Sequence, residues 1–133
     1  NHRPHYNVGV GLIWKNNKIL ISKRKESGLL GGLWEFPCGK LNPREGVHDA
    51  IVRVARETLN IAILPVSFIK KYKHTYTHFS ITAEAYQCRF IGGIPKACGY
   101  VDYRWIYPYE TSQFAFHSSN HKLFDEIEMD STV

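Results

Sequence analysis

Methionine is nearly absent from this 133-residue chain: Met129 is the only one, and residue 1 is asparagine. A missing initiator points to a segment of a longer protein, with residues 1–7, opening Asn1-His2-Arg3-Pro4, as the end of an interdomain linker. Cysteine is also scarce. Cys38, Cys88 and Cys98 are odd in number and lack close-paired spacing, which argues against a disulfide framework and against a zinc or iron–sulfur site, and fits a reducing compartment. No apolar run approaches the ~20 residues that span a bilayer, and no charged-then-apolar leader precedes the first strand-like stretch, so a soluble chain with no membrane partner is expected. Internal repeats and low-complexity tracts are lacking too, which excludes solenoids and arrays.

What is present suits one domain with its own core: 44% of residues are hydrophobic, and the length is too short for two such units. The net charge is +5, with basic runs at Ser22-Lys23-Arg24-Lys25 and Ile69-Lys70-Lys71-Tyr72-Lys73. That balance favours a polyanionic partner, nucleic acid first; a merely solvated basic surface is the plainer alternative.

Two strand-like runs, Val8 to Trp14 and Lys18 to Lys23, flank Asn16-Asn17 and read as an opening hairpin. A Gly-rich loop from Glu26 to Gly32 leads to the short apolar Leu33-Trp34-Glu35-Phe36. Val47 to Leu59 reads as a helix. At about 3.6 residues per turn, Val47, Ala50, Ile51, Val54 and Thr58 share a stripe, with Arg53, Arg56 and Glu57 beside or opposite it. Pro43, Glu45 and Asp49 suit its start, and Arg53 and Glu57 can pair across one turn. Strand-like runs follow at Leu64 to Tyr72, Phe79 to Phe90 and Tyr100 to Tyr107, and helix returns near Asn120 to Glu128. The expected fold is an α/β sandwich occupying 8–128, followed by a tail at 129–133. Trp34, Phe36 and Trp105 are expected to pack in the core or at its rim.

The spacing Gly39-x5-Glu45-x7-Arg53-x3-Glu57, running on to Ile61, resembles the Nudix box, Gly-x5-Glu-x7-Arg-Glu-U-x-Glu-Glu-x-Gly-U with U aliphatic. The resemblance implies an α/β/α sandwich with a mixed sheet, a box helix and a C-terminal helix. Three positions depart from the pattern: Val54, Thr58 and Asn60 stand where it has Glu, Glu and Gly. In that family the helix carboxylates hold magnesium against a pyrophosphate, and magnesium requires hard oxygen ligands. Losing a general base alone costs about 10²–10⁴-fold in rate, so efficient hydrolysis is not expected and no catalytic residue is assigned. Glu45 and Glu57 have two readings, as the helix-start and ion-pair groups just described or as a weak cation site.

Outside the box, Lys23-Arg24 and Gly28 to Pro37 are similar to a segment shared by MutT-type oxidised-nucleotide hydrolases and the C-terminal domain of MutY-type adenine DNA glycosylases. His74-Thr75-Tyr76-Thr77-His78-Phe79 resembles the glycosylase's His-x-Phe/Tyr-Ser/Thr-His loop, and Tyr103-Arg104-Trp105 and Phe114 to Phe124 resemble that domain's ending. The resemblance extends from about Arg3 to Ile127. It implies a non-hydrolytic lesion-recognition domain whose partners are duplex DNA containing 8-oxoguanine and an N-terminal glycosylase domain of the same chain. That absent domain would hold the acidic catalytic residue and an iron–sulfur cluster, leaving no cofactor in this segment. A monomer is expected, cytoplasmic and nucleoid-associated in a bacterium or nuclear in a eukaryote.

By the same resemblance Thr77 is the first candidate to read the lesion, with a hydroxyl that both accepts and donates. Tyr76 would stack or wedge, His78 would meet a phosphate, and Lys23 and Arg24 would meet the backbone. Asn120 matches a base-reading Asn of the MutT proteins, although a helix N-cap is the favoured reading. Two other functions compete: a magnesium-dependent pyrophosphohydrolase of ordinary or oxidised nucleoside triphosphates using Glu45, Glu57 and a carboxylate such as Glu84, and a protein-interaction domain on a vestigial fold.

Overall fold

Residues 3–28 and 30–128 are described by the computed structural model of the chain. Strand β1 (His5–Lys15) turns into β2 (Lys18–Lys23) through Asn16 and Asn17, whose φ angles are 53° and 67°. Paired positive φ is what a two-residue type I′ turn demands, and asparagine tolerates it. There follow β3 (Trp34–Glu35), β4 (Cys38–Lys40), α1 (Val47–Leu59), β5 (Ala62–Thr75), β6 (Ser80–Gly92) and β7 (Asp102–Ile106). Two 3-10 turns, Pro108–Gln113 and Ser118–Leu123, lead into α2 (Phe124–Glu128).

The sheet order is β3-β2-β1-β6-β5, with β4 also paired to β1 and β7 to β2. β1 and β6 run parallel and the other pairs antiparallel, which is the expected mixed sheet. The linker reading of residues 5–7 is corrected: His5, Tyr6 and Asn7 pair with Ser80, Ile81 and Thr82. The ends of the expected linker and tail, 1–2 and 129–133, lie outside the described residues, as does Leu29.

Alternation along β1 sends Val8, Val10 and Leu12 to one face, where they pack with Phe36, Ala83, Phe116, Leu123 and Ile127 under the C-terminal segment. Ile13 faces the other way, into a cluster with Ile51, Ala55, Leu59 and Ile63 under α1. Burying each such aliphatic or phenyl side chain contributes ~1.5–3 kcal/mol, so these two layers dominate stability. The helix can approach because Gly9 faces it: a Cβ there would lie 2.8 Å from Cγ1 of Ile51.

Along α1 the buried residues are Ala50, Ile51, Val54, Ala55 and Leu59: the first three are in the expected stripe, and Ala55 and Leu59 are buried where Val47 and Thr58 are only half-buried. Gly46 occupies the N-cap without a side-chain hydrogen bond. Asn60 ends the helix in the left-handed conformation (φ 57°), its N–H returning to the Arg56 carbonyl at 3.1 Å. Asparagine is the usual substitute for glycine there, so this departure from the box is conformationally mild. The terminal helix is shorter than expected. Residues Ser118–Leu123 form a 3-10 turn in its place, with Ser119, Asn120 and Leu123 buried. No helix among the described residues is long and apolar enough to cross a membrane.

Candidate active site

Arg53 organises the box. Its Nε donates to Oε2 of Glu45 (2.8 Å), its Nη2 to Oε1 of Glu45 (2.9 Å) and to the Lys40 carbonyl (2.9 Å), and its Nη1 to Oε1 of Glu57 (3.0 Å). The predicted Arg53–Glu57 pair is therefore present. Glu45 also accepts the Asn42 N–H at 2.9 Å, so both of its oxygens are committed to holding the 40–45 loop on the helix. Arg53, followed by the Asn42 N–H, holds the Glu45 carboxyl below its ordinary range. Glu45 is thus the anchor of Arg53, whereas Glu57 is exposed and its Oε2 takes no hydrogen bond among the described residues.

The two substituted positions are filled by packing. Val54 is 5% exposed and lies directly over Gly39, where an added Cβ would fall inside contact distance of Val54 Cγ2. Thr58 donates its hydroxyl back to the Val54 carbonyl, and its own carbonyl accepts the N–H groups of Cys98 (2.9 Å) and Gly99 (3.1 Å). The helix end is thereby tied to the loop before β7.

Beside this anchor runs a cleft of about 520 Å3, whose walls include His5, Lys40, Arg44, Glu45, Lys71 and Glu84. Glu84 lies across the strand pair from Lys71. Three cations around one open space favour a polyanion, and the two carboxylates lie on the same walls. A larger groove of about 690 Å3 contains Trp14, Arg89, Tyr107 and Tyr109 and no box residue, so the smaller cleft is the one positioned for box chemistry.

On the other side of β4 a buried polar network appears that the sequence reading missed. Glu35, fully buried, receives Arg24 Nη1 at 3.2 Å and His117 Nε2 at 2.9 Å on Oε1, and the Tyr100 hydroxyl at 2.6 Å and the Cys38 thiol at 3.3 Å on Oε2. Burial alone would raise its pKa; the His117 hydrogen bond and the Arg24 charge outweigh it and hold the carboxyl below its ordinary range. Burial, reinforced by the Glu35 charge, pushes the Cys38 thiol and the Tyr100 phenol well up. The one available signal was a glutamate between Trp34 and Phe36 in an apolar run; His117 and Tyr100 carried none.

The candidate nucleic-acid residues divide. Thr77 and His78 are exposed at the β5–β6 turn, closed by the Tyr76 N–H to Phe79 carbonyl bond at 2.7 Å. Tyr76 is not a free wedge: its ring stacks on Phe79 (centroids 4.7 Å apart) and its hydroxyl meets His117 Nδ1 at 2.9 Å. Arg24 pairs with buried Glu35, and Lys23 is half-buried at the end of β2. Asn120 is no helix cap; its Oδ1 accepts the Phe36 N–H at 2.8 Å and fixes the C-terminal segment to the sheet. Trp34 and Phe36 are buried as expected, with Trp105 partly so. Cys38 is half-buried, and the three thiols are free.

The family description "NUDIX domain" matches residues 9–126. The chain is 31% identical over 127 residues to the 8-oxo-dGTP diphosphatase of Buchnera aphidicola (subsp. Schizaphis graminum), covering 92% of each chain. It is 28% identical over 107 residues to the CTP pyrophosphohydrolase of Escherichia coli, covering 80% of this chain and 79% of that one. With the adenine DNA glycosylase of Rattus norvegicus it shares 28% over 108 residues, 80% of this chain but only 21% of the glycosylase. Among solved structures, the MutT protein of Methanosarcina mazei superposes with a TM-score of 0.85 at 18% identity, covering 100% of this chain and 99% of that one, a likeness of fold.

These relatives overturn the expected role as a non-hydrolytic lesion-recognition domain, because the proteins matched over most of their length carry hydrolase names and the glycosylase is matched over about a fifth. The expectation rested on reading Val54 and Thr58 as loss of the chemistry, whereas both substitutions leave the Glu45–Arg53–Glu57 geometry in place. The mixed sheet, the Arg53-centred box and a family match extending from Gly9 to Glu126 agree: the chain belongs to the Nudix domain family.

Proposed function

We propose that this chain is a magnesium-dependent pyrophosphohydrolase of nucleoside triphosphates, with oxidised purine nucleotides as its preferred class. The observation that carries the reading is the 31% identity to an 8-oxo-dGTP diphosphatase over 92% of both chains. The cationic cleft beside the box supports it, since Lys40, Arg44 and Lys71 offer charge to a triphosphate.

The donor set fits magnesium in a reduced form. Magnesium keeps several waters and is commonly held through one or two carboxylates together with substrate phosphates. Glu57, exposed on α1 with Oε2 uncommitted, is the residue to hold it; Glu45 is spent on Arg53. When bound, the ion neutralises charge developing on the transferring phosphoryl group. Lys40 and Lys71 orient the phosphates, and Glu84 takes the proton from the attacking water. The water oxygen forms a new P–O bond, a phosphoanhydride P–O bond breaks, and nucleoside monophosphate and pyrophosphate leave, with the proton passing from Glu84 to solvent.

The test is pyrophosphate release from a panel containing dGTP, 8-oxo-dGTP and CTP with magnesium. Turnover of 8-oxo-dGTP above dGTP, reduced about 10²-fold or more by Glu84→Gln, is expected from loss of a general base. A folded wild-type chain that releases pyrophosphate from none of the three refutes the proposal.

A further inference from the structure

Among the described residues, Glu35, Cys38 and His117 are the one group of His, Cys and carboxylate side chains with metal-binding proximity, their ligand atoms all within 4.8 Å of one another. They come from β3, β4 and the turn before α2, so the fold and not a sequence motif brings them together. A thiolate, an imidazole and a carboxylate form a borderline-soft set of the kind zinc takes in four-coordinate sites, and a poor one for magnesium.

Two further features point to a ligand. His117 has its Nδ1 engaged by the Tyr76 hydroxyl (2.9 Å) and by Ser119 Oγ (3.0 Å), which aims Nε2 at Glu35; outer hydrogen bonds of this kind orient metal-binding histidines. The Tyr72 hydroxyl is buried and is the one buried side-chain polar atom without a hydrogen-bond partner among the described residues. Tyr72 packs against the same core cluster as Cys38 and Tyr76. Buried polar groups are normally partnered, and an orphan calls for an unrecorded water or ion.

We propose that Glu35, Cys38 and His117 bind one zinc-class divalent ion, separate from the magnesium of the hydrolytic reading, with a metal-bound water as the fourth ligand hydrogen-bonded to Tyr72. On binding, the Cys38 proton leaves to solvent and the sulfur–metal bond forms; the ring proton of His117 passes from Nε2, where it faces Glu35, to Nδ1, which then donates to Ser119 Oγ, and the freed Nε2 lone pair binds the metal. Arg24 and Tyr100 continue to hold the carboxylate from outside. The charges match: the 2+ ion meets one thiolate and one carboxylate, and Arg24 stays one-third exposed, where solvent screens it.

The experiment is titration of the chelator-treated full chain with Co2+, followed by Zn2+ displacement. The expected result is a thiolate-to-cobalt charge-transfer band saturating at one equivalent, release of about one proton per ion, displacement by Zn2+ and none by excess Mg2+. Cys38→Ser abolishes the band, Cys98→Ser keeps it, and Tyr72→Phe weakens binding about 10–100-fold, as loss of an outer hydrogen bond to a metal site does. Should Cys38→Ser fail to fold, alkylation mapping of the wild type gives the same answer: Zn2+ protects Cys38 and leaves exposed Cys98 reactive. Absence of the band at one equivalent, a band that follows Cys98, or equal reactivity of both thiols with and without Zn2+ overturns the site.

Discussion

The contact between Gly39 and Val54 states in two residues how this helix replaced a carboxylate with packing, and it is open to a double-mutant cycle. Gly39 lies in β4 with φ outside the left-handed region, so alanine fits its backbone; the obstacle is Val54 Cγ2 alone. Gly39→Ala should cost about 1–3 kcal/mol by overpacking. Val54 is 5% exposed, and Val54→Ala should cost about 2 kcal/mol from two lost methyl groups and the space they leave. In the double variant the new Cβ enters the vacated space, so the combined loss should fall short of the sum by about 1–2 kcal/mol, within the range of contacting pairs. Urea melts read this as midpoints moving at constant slope, and thermal melts as about 3–5 °C per kcal/mol for a chain of this size. Additivity to within ~0.5 kcal/mol would refute the account of Val54 as a packing substitute.

Glu35→Gln removes the charge facing Arg24 and His117 and should destabilise by about 3 kcal/mol, the lower end for a broken buried pair because Arg24 is partly solvated. Its pH signature has a definite sign. The folded pKa is depressed, so the wild-type advantage is complete above the ordinary glutamate value of about 4.3 and is lost as pH falls through the folded value; parallel wild-type and variant melts between neutral and acid pH would contradict this. Tyr76→Phe should cost about 1–2 kcal/mol through the N–H of Ser119 left unpaired and one of the two hydrogen bonds at His117 Nδ1 lost, Ser119 Oγ remaining there, whereas Thr77→Ala at the exposed turn should stay within about 0.5 kcal/mol in the same melts. Arg53→Lys loses the two-pronged grip on Glu45 and should speed hydrogen exchange of the Glu45 N–H, which bonds the Asn42 carbonyl at 3.0 Å; unchanged exchange would remove Arg53 as the organiser of that loop.

Local features were legible in the sequence. The hairpin followed from Asn16-Asn17, and α1 from a 3.6-residue period whose ends match Val47 and Leu59; the Arg53–Glu57 pair followed from spacing alone. The role of Glu45 was half legible, because its second grip on Arg53 depends on how the 40–45 loop folds back onto the helix. The Glu35–His117 contact joins residues 82 apart in sequence, and no periodicity carries such information. Tyr76 shows the converse: its loop resemblance marked it as a reader of DNA, while the structure spends its ring and hydroxyl on Phe79 and His117. Val54 and Thr58 remove two carboxylates from the pattern, and the pattern alone does not show what the surviving ones contact. The two box carboxylates that remain, Glu45 and Glu57, are both held by Arg53.

The central claim is that one helix carboxylate, Glu57, suffices to hold magnesium for pyrophosphate release. Its most direct test is the initial rate of 8-oxo-dGTP hydrolysis as a function of magnesium concentration for the wild type and Glu57→Gln. The account predicts saturable magnesium dependence in the wild type and, in the variant, a rate at least about 10²-fold lower that magnesium fails to restore. Equal magnesium-dependent rates in the two proteins would contradict it.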